Sequence, residues 1–357
     1  MPNSLQWSFA PISSFADIAA DWDAINRGLA NLPILDARFF ALLMKHFGVH
    51  PGAKSVILRD AAGPLCAGIL EPRKLGSWQT YQPSQAPLGA WVHASRFDAA
   101  VALPSFFRAG AGRLSLALGL SQLDPEFLPR PLGVSRFGTL DYIETATLHV
   151  EGSFEDYWAS RGKNLRQNHK KQRNRLEKAG VTTQLKIHTD PRAVGEAVDE
   201  YGRLESLGWK AGEGTALHPD NAQGRFYREL LQEHAAAGES LVYQYLYDRK
   251  VVASDLCLAR NGVLIILKTT YDEAHNATSP AMSMHYEILQ PIFDERRFGR
   301  IEFFGRVMEW HGRLTEAKRV LYHLNCFRLP WLSGLVAARG AGQTIREKAA
   351  TGEGASD

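Results

Sequence analysis

Residues 240–305 constrain the fold of this chain more than any other stretch. SLVYQYLY (240–247) is dense in β-branched and aromatic residues, Asp248-Arg249-Lys250 turns it, and VVASDLCLA (251–259) alternates apolar with polar side chains. Asn261-Gly262 is the strongest hairpin signal in the sequence, because both residues tolerate positive φ, and VLIILKTTYD returns as a third strand. The sheet is therefore expected to be antiparallel here. After DEAHNATSP, the residues Met282, His285, Ile288, Leu289, Ile292 and Phe293 recur at helical spacing. Ser279 is placed to cap that helix, and Pro280 suits a first turn that needs no backbone donor there. IEFFG (301–305) closes the unit as a strand.

A helix N-terminus that faces the end of a strand offers unpaired N–H groups and a partial positive charge, so it suits a phosphate group. This order of elements, with LKTTYDEA, the SPA helix start, IEFFG and Trp310 beyond it, resembles the GNAT acyltransferase superfamily. Within it, the chain is similar to the branch that holds the cellulose-biosynthesis-type acetyltransferases and the Fem-type peptidoglycan aminoacyltransferases. The resemblance covers residues 154–328 well and the first 150 loosely. It implies an α/β (α+β) chain of two tandem GNAT-like domains, with mixed, mainly antiparallel sheets flanked by helices. Residues 1–150 would be a degenerate N-terminal copy, 151–338 the acyltransferase domain, and 339–357 a Gly-, Thr- and Glu-rich tail expected to be disordered.

The length of 357 residues fits two domains of ordinary size, and 45% hydrophobic with 22% charged residues is the balance of a soluble globular protein. No run of about 18 apolar residues suggests a membrane span. The start, MPNSLQWSF, lacks the basic and apolar segments of a signal peptide, and Cys66, Cys257 and Cys326 have neither pairing nor metal-ligand spacing, so a cytoplasmic protein is expected. The net charge of +3 conceals a local excess. Residues 161–178 hold eight basic and one acidic residue, a charge of +7, which leaves 3 − 7 = −4 for the remainder.

Along the rest of the chain, LQWSFAP reads as a strand, 13–29 as a helix with Phe15, Ile18, Trp22 and Ile25 on one face, and ARFFALLMKHF as a helix ending at Gly48. KSVILRD and LCAGILEPR form a hairpin, 97–109 a helix, RLSLALG a strand, and TLDYIETATLHV a long strand. Ser153 starts a helix, and Asn164 is placed to cap a second that stops at Gly180. VTTQLKIH is a strand, Asp190-Pro191 opens a helix, and WKAGEGTALHPDNAQG reads as a lid or a long connection before another helix. RVMEWHGRLTEAKR is expected to be irregular and VLYHLNCFRL to be a final strand, with a short helix at 332–338.

The resemblance implies acyl transfer from a thioester to an amine, which requires positioning, proton removal and oxyanion stabilisation rather than a nucleophilic Ser or Cys. No G-x-S-x-G elbow, P-loop, dinucleotide fingerprint or H-E-x-x-H motif is present, and no metal is expected. The expected donor is acetyl-CoA or another acyl-CoA, cradled by Ser279, Ala281 and Met282 with Lys268 nearby. Related acyltransferases commonly have glycine after the proline, where this chain has Ala281. Glu302, acidic in an apolar run, is the candidate base if it is buried, or a solvated residue if alternation turns it outward. His311 is a second candidate base, and Tyr271 can protonate a leaving thiolate or belong to the core. Trp310-His311 stand near the place where relatives have an aromatic-lysine pair.

Lys163, Arg166, Lys170 and Arg173 form one helical stripe. Arg166, Lys170 and Arg173, with Trp310, are expected to hold a substrate or another anionic ligand; the alternative is a solvated face. The expected acceptor is an amine on a small metabolite or on a cell-envelope or exopolysaccharide precursor. Two alternatives stand: a Fem-like transferase using aminoacyl-tRNA, and a non-catalytic RNA- or polyanion-binding protein. The lack of a long helical arm favours CoA over tRNA.

Overall fold

A computed structural model describes residues 5–206 and 217–332. In chain order, the first elements are β1 (Gln6–Pro11), α1 (Ala19–Gly28), α2 (Ala37–Phe47), β2 (Lys54–Asp60), β3 (Gly63–Arg73), β4 (Ser77–Thr80), β5 (Trp91–His93), α3 (Ala99–Ser105), β6 (Ala117–Leu123) and β7 (Phe137–His149). There follow α4 (Phe154–Ser160), α5 (Lys163–Lys178), β8 (Thr183–His188), α6 (Pro191–Glu205) and α7 (Ala222–Ala236). The remainder holds β9 (Ser240–Tyr247), β10 (Lys250–Arg260), β11 (Val263–Tyr271), α8 (Pro280–Glu295), β12 (Arg300–Glu302), α9 (Glu309–Leu314) and β13 (Lys318–Phe327).

The chain divides into two compact units, each assembled from separated stretches rather than from one half of the sequence. One comprises Met1–Ala30, Val49–Tyr142 and Val320–Asp357; the other comprises Asn31–Gly48 and Ile143–Arg319. The first is a mixed sheet in the order β1-β2-β3-β4-β6-β13, with β5 also on β3. Its β4–β6 pair is parallel, whereas β1–β2, β2–β3, β3–β4, β3–β5 and β6–β13 are antiparallel. Its core gathers Leu58, Leu103, Phe106, Leu120 and Tyr322. The Trp7 indole is edge-on to Phe106 at 5.5 Å and donates to the Ser105 hydroxyl at 2.8 Å, so its one polar atom is satisfied.

The second unit carries a sheet in the order β7-β12-β11-β10-β9-β8. The hairpins expected from the turn residues are present. Asp248 and Arg249, then Asn261 and Gly262, all have positive φ, and β9, β10 and β11 pair antiparallel. β12 joins β11 in parallel because α8 crosses over between them. The apolar face of α8 is buried with Leu264, Ile266 and Ile301, and Phe154 of α4 packs edge-on to Phe293. Residues 31–48 belong to this unit because Arg260 of β10 holds Asp36 through two hydrogen bonds of 2.7 and 2.5 Å while also binding Glu239.

Several local expectations change. Ser279 does not cap α8 with its side chain: it sits at φ 46°, in the left-handed region, and its hydroxyl instead accepts from Gln172 of α5 at 2.8 Å. The boundary residue of α5 is Gly162, so Asn164 lies inside the helix. Residues 309–314, expected to be irregular, form α9, whose first turn is tied by His311. The strand expected at RLSLALG begins later, at Ala117, after a short 3₁₀ segment at Gly110–Leu114. Of the stretch 209–224, expected as a lid or a long connection, residues 209–216 lie outside the described residues, as do most of the expected helix at 332–338 and the tail.

Candidate active site

The site begins with a divergence of two strands. Val263, Leu264 and Ile265 of β11 pair with Arg300, Ile301 and Glu302 of β12, and the pairing ends there. β11 continues to Tyr271 with a bulge, since Leu256 of β10 faces Lys268 while Cys257 faces Ile266, leaving Leu267 without an opposite residue. On the other arm, the Phe303 amide donates to the Ala146 carbonyl and Phe304 takes φ 40°, which turns the chain away. Between the arms, at the start of α8, lies a cavity of ≈ 510 Å³. Its size is that of a small-molecule site.

Two buried histidines line this cavity. His285, on α8, hydrogen-bonds Asp255 of β10 through Nε2 at 3.0 Å; the pair is 3% and 0% exposed. With the carboxylate as acceptor, Nε2 carries the proton and Nδ1 is left as a lone pair. That Nδ1 is buried and has no hydrogen-bond partner among the described residues. A buried orphan acceptor is uncommon in a stable protein and points to a role outside folding. The ring is fixed by Trp310, stacked on it at 5.1 Å and 23°. His311, on α9, accepts from the Met308 amide through Nδ1 at 2.8 Å and stands edge-on to Phe303. Burial pushes its pKa down to about 4, so it is neutral at ordinary pH.

The start of α8 also faces the cavity, through Ser279, Pro280, Ala281 and Met282. Fewer bare donors are available than a typical helix start provides. Pro280 has none, and the Met282 and Ser283 amides both reach the Ser279 carbonyl at 3.1 Å. The Ala281 N–H is left for a ligand. The Gln172–Ser279 hydrogen bond anchors α5 beside this point.

Of the residues singled out in the sequence, Lys268, Tyr271, Ser279, Ala281, Met282, Trp310 and His311 are brought together around the cavity. Lys268 stands 3.8 Å from Glu205 and over the Tyr227 ring, while Tyr271 is partly exposed. Glu302 is not among the lining residues. It is fully buried, but Arg319 donates to it at 2.9 Å, Arg300 lies 3.1 Å away, and the Thr147 hydroxyl is at 3.2 Å. Two guanidinium groups neutralise its charge and occupy its oxygens, so this geometry is that of a structural ion pair rather than of a base facing substrate. Arg166, Lys170 and Arg173 lie on the exposed side of α5, also away from the lining. Asp272 caps the following 3₁₀ turn by accepting from the Ala274 amide, and its hydrogen bond with Lys250 holds its carboxyl below the usual range.

In the sequence, His285 reads as one more residue of the apolar face of α8, and Asp255 as one polar residue of an alternating strand. The available signal was a polar residue at a core position in each element: a histidine on a buried helical stripe, and an aspartate in the centre of a hairpin strand.

Residues 163–312 match the family model described as an acetyltransferase (GNAT) domain. No curated protein sequence matches the chain. Among solved structures, the chain resembles the C-terminal DUF2156 domain of a protein named as a lysylphosphatidylglycerol synthetase from Agrobacterium fabrum. That likeness has a TM-score of 0.54 at 13% identity, over 92% of this chain and 96% of that one. A conserved protein of unknown function from Bacteroides thetaiotaomicron VPI-5482 gives a TM-score of 0.51 at 11% identity, over 91% and 100%. FemX gives 0.56 at 9% identity, over 88% and 97%. At such identities the likeness is one of fold. Residues 163–312 therefore match an acetyltransferase (GNAT) domain in sequence, within a chain whose fold is shared with FemX.

Proposed function

We propose that this protein is an acyl-CoA-dependent N-acyltransferase, most simply an N-acetyltransferase, acting on an amine of a small metabolite or of a cell-envelope or exopolysaccharide precursor. The observation that carries this reading is the unpaired Nδ1 of His285, held in its tautomer by Asp255 and lining the cavity between the diverging strands. Beyond Ile265, the edge of β11 that faces β12 has no strand partner among the described residues, so an extended amide-bearing arm of a donor can pair with it. The Ala281 amide and the dipole of α8 suit the donor's phosphates. Attack of an amine on the thioester carbonyl then needs a group to accept the amine's proton, and His285 Nδ1 is placed for it. The three free, buried cysteines fit a reducing compartment, so we place the reaction in the cytoplasm.

The test is titration with CoA and acyl-CoA thioesters of increasing length, followed by thiol release with candidate amines. At a ligand concentration of about 100 Kd, thermal unfolding should reflect about 2.7 kcal/mol of added stability. Ala281→Phe should abolish that shift. An unchanged Tm in the presence of every thioester would sink the reading.

A second reading, with aminoacyl-tRNA as donor, is favoured by one observation. The cations of α5, including Arg166, Lys170 and Arg173, are exposed and form no ion pair among the described residues. It predicts RNA affinity that falls steeply with salt, and acyl transfer only when charged tRNA is supplied.

A further inference from the structure

The two histidines offer the cavity opposite groups. His285 gives its N–H to Asp255 and keeps a bare Nδ1. His311 uses its only lone pair, at Nδ1, to accept from the Met308 amide, which fixes the proton on Nε2, and no described residue accepts that proton. His311 thus has no acceptor site left with which to remove a proton unless the first turn of α9 gives up its cap. Its ring is 5% exposed, held by Trp310 at 3.6 Å and by Phe303 at 5.0 Å. It therefore cannot swing to find another partner without disturbing both.

Resting on the acyl-transfer reading above, we propose that His311 is the oxyanion donor of this site: its neutral Nε2–H hydrogen-bonds the thioester carbonyl oxygen, while His285 Nδ1 takes the amine's proton. In the step itself, the amine lone pair forms the new C–N bond and the carbonyl π pair moves onto oxygen, where the Nε2–H stabilises it. The amine's proton passes to His285. On collapse, the C–O double bond re-forms, the C–S bond breaks, and the departing thiolate takes the proton from His285. Burial favours this division of labour, because a neutral imidazole donates without losing its proton and stays neutral down to about pH 4.

The test combines a readout independent of turnover with two variants. Long-range ¹⁵N–¹H NMR of the histidine-labelled protein should show His311 protonated at Nε2 alone and unchanged from pH 8 to 6. A proton at Nδ1, or an imidazolium in that range, would overturn the assignment. His311→Gln keeps both an acceptor for Met308 and a donor for the cavity, whereas His311→Glu keeps only the acceptor. His311→Glu should lose about 10²–10³-fold in kcat with acyl-CoA binding within a few-fold of wild type, and His311→Gln should recover at least about tenfold of that loss. Equal losses in the two variants would overturn the proposal. Wild-type protein that transfers no acyl group would instead refute the acyl-transfer reading, and the NMR result separates the two failures.

Discussion

Asp255 and Glu302 show how differently two buried carboxylates can be used within one sheet. Among the described residues, the Asp255 carboxylate hydrogen-bonds the His285 ring through Oδ2 and has no partner at Oδ1. Asp255→Asn would present an amide donor to Nε2 and so favour the His285 tautomer that carries its proton on Nδ1, removing the base. The expected outcome is a fall in kcat of about 10²–10⁴-fold with little change in acyl-CoA Kd, read by steady-state kinetics and calorimetry. Glu302, by contrast, is enclosed by Arg300, Arg319 and Thr147. Glu302→Gln would leave two guanidinium groups without their counter-charge and should cost on the order of 3 kcal/mol, seen as a lower urea midpoint at unchanged slope. Turnover per folded molecule should stay near wild type. A loss of turnover without a loss of stability would return Glu302 to the role of base.

Among the elements, a hydrogen bond from Gln172 to Ser279 joins the helix α5 to the loop before α8. Ser279 adopts a left-handed conformation that non-glycine residues seldom take, and its hydroxyl is held by Gln172. That contact brings the strongly basic α5 next to the cavity without making its cations part of the lining. Replacing Arg166, Lys170 and Arg173 together by Gln should weaken acyl-CoA binding severalfold at low ionic strength. The deficit should shrink at 0.15 M salt, where the Debye length is about 8 Å, and titrations at two ionic strengths would show it. Equal affinity at both would make α5 a solvated face. The turns of the β9-β10-β11 meander were legible in the sequence because positive φ is a local demand. The departure of β11 from β12, which creates the cavity, was not, because it depends on where Phe303 finds an acceptor in β7.

For the molecule as a whole, burial disfavours the charged form of several histidines. His169, His234 and His311 each have a pKa lowered from 6.5 to about 4, with burial the largest cause. The unfolded chain therefore binds more protons than the folded one between about pH 6.5 and 4. Stability is fully retained above that window, falls as pH drops through it, and levels off below it. At about 1.4 kcal/mol per pKa unit, each histidine contributes at most about 3.5 kcal/mol. A urea midpoint that holds steady from pH 7 to 4.5 would contradict this. The unit built from residues 31–48 and 143–319 depends also on Arg260, which joins Asp36 to Glu239. Arg260→Met should cost about 1–3 kcal/mol, since Asp36 and Glu239 lose the guanidinium that joins them while Arg38 remains beside both.

By itself the sequence determined the hairpins, the proline-led start of α8, the capping of α6 by Asp190 and the basic character of α5. Each of these is written in neighbouring residues through turn geometry, periodicity or charge. Only the tertiary structure decided which polar residues meet: Asp255 with His285, Glu302 with two arginines, and Nδ1 of His311 with a backbone amide. Spacing along the chain does not encode these encounters, because packing across β10, α8, β12 and α9 sets who faces whom, and a buried charge takes its chemistry from the partner that packing supplies.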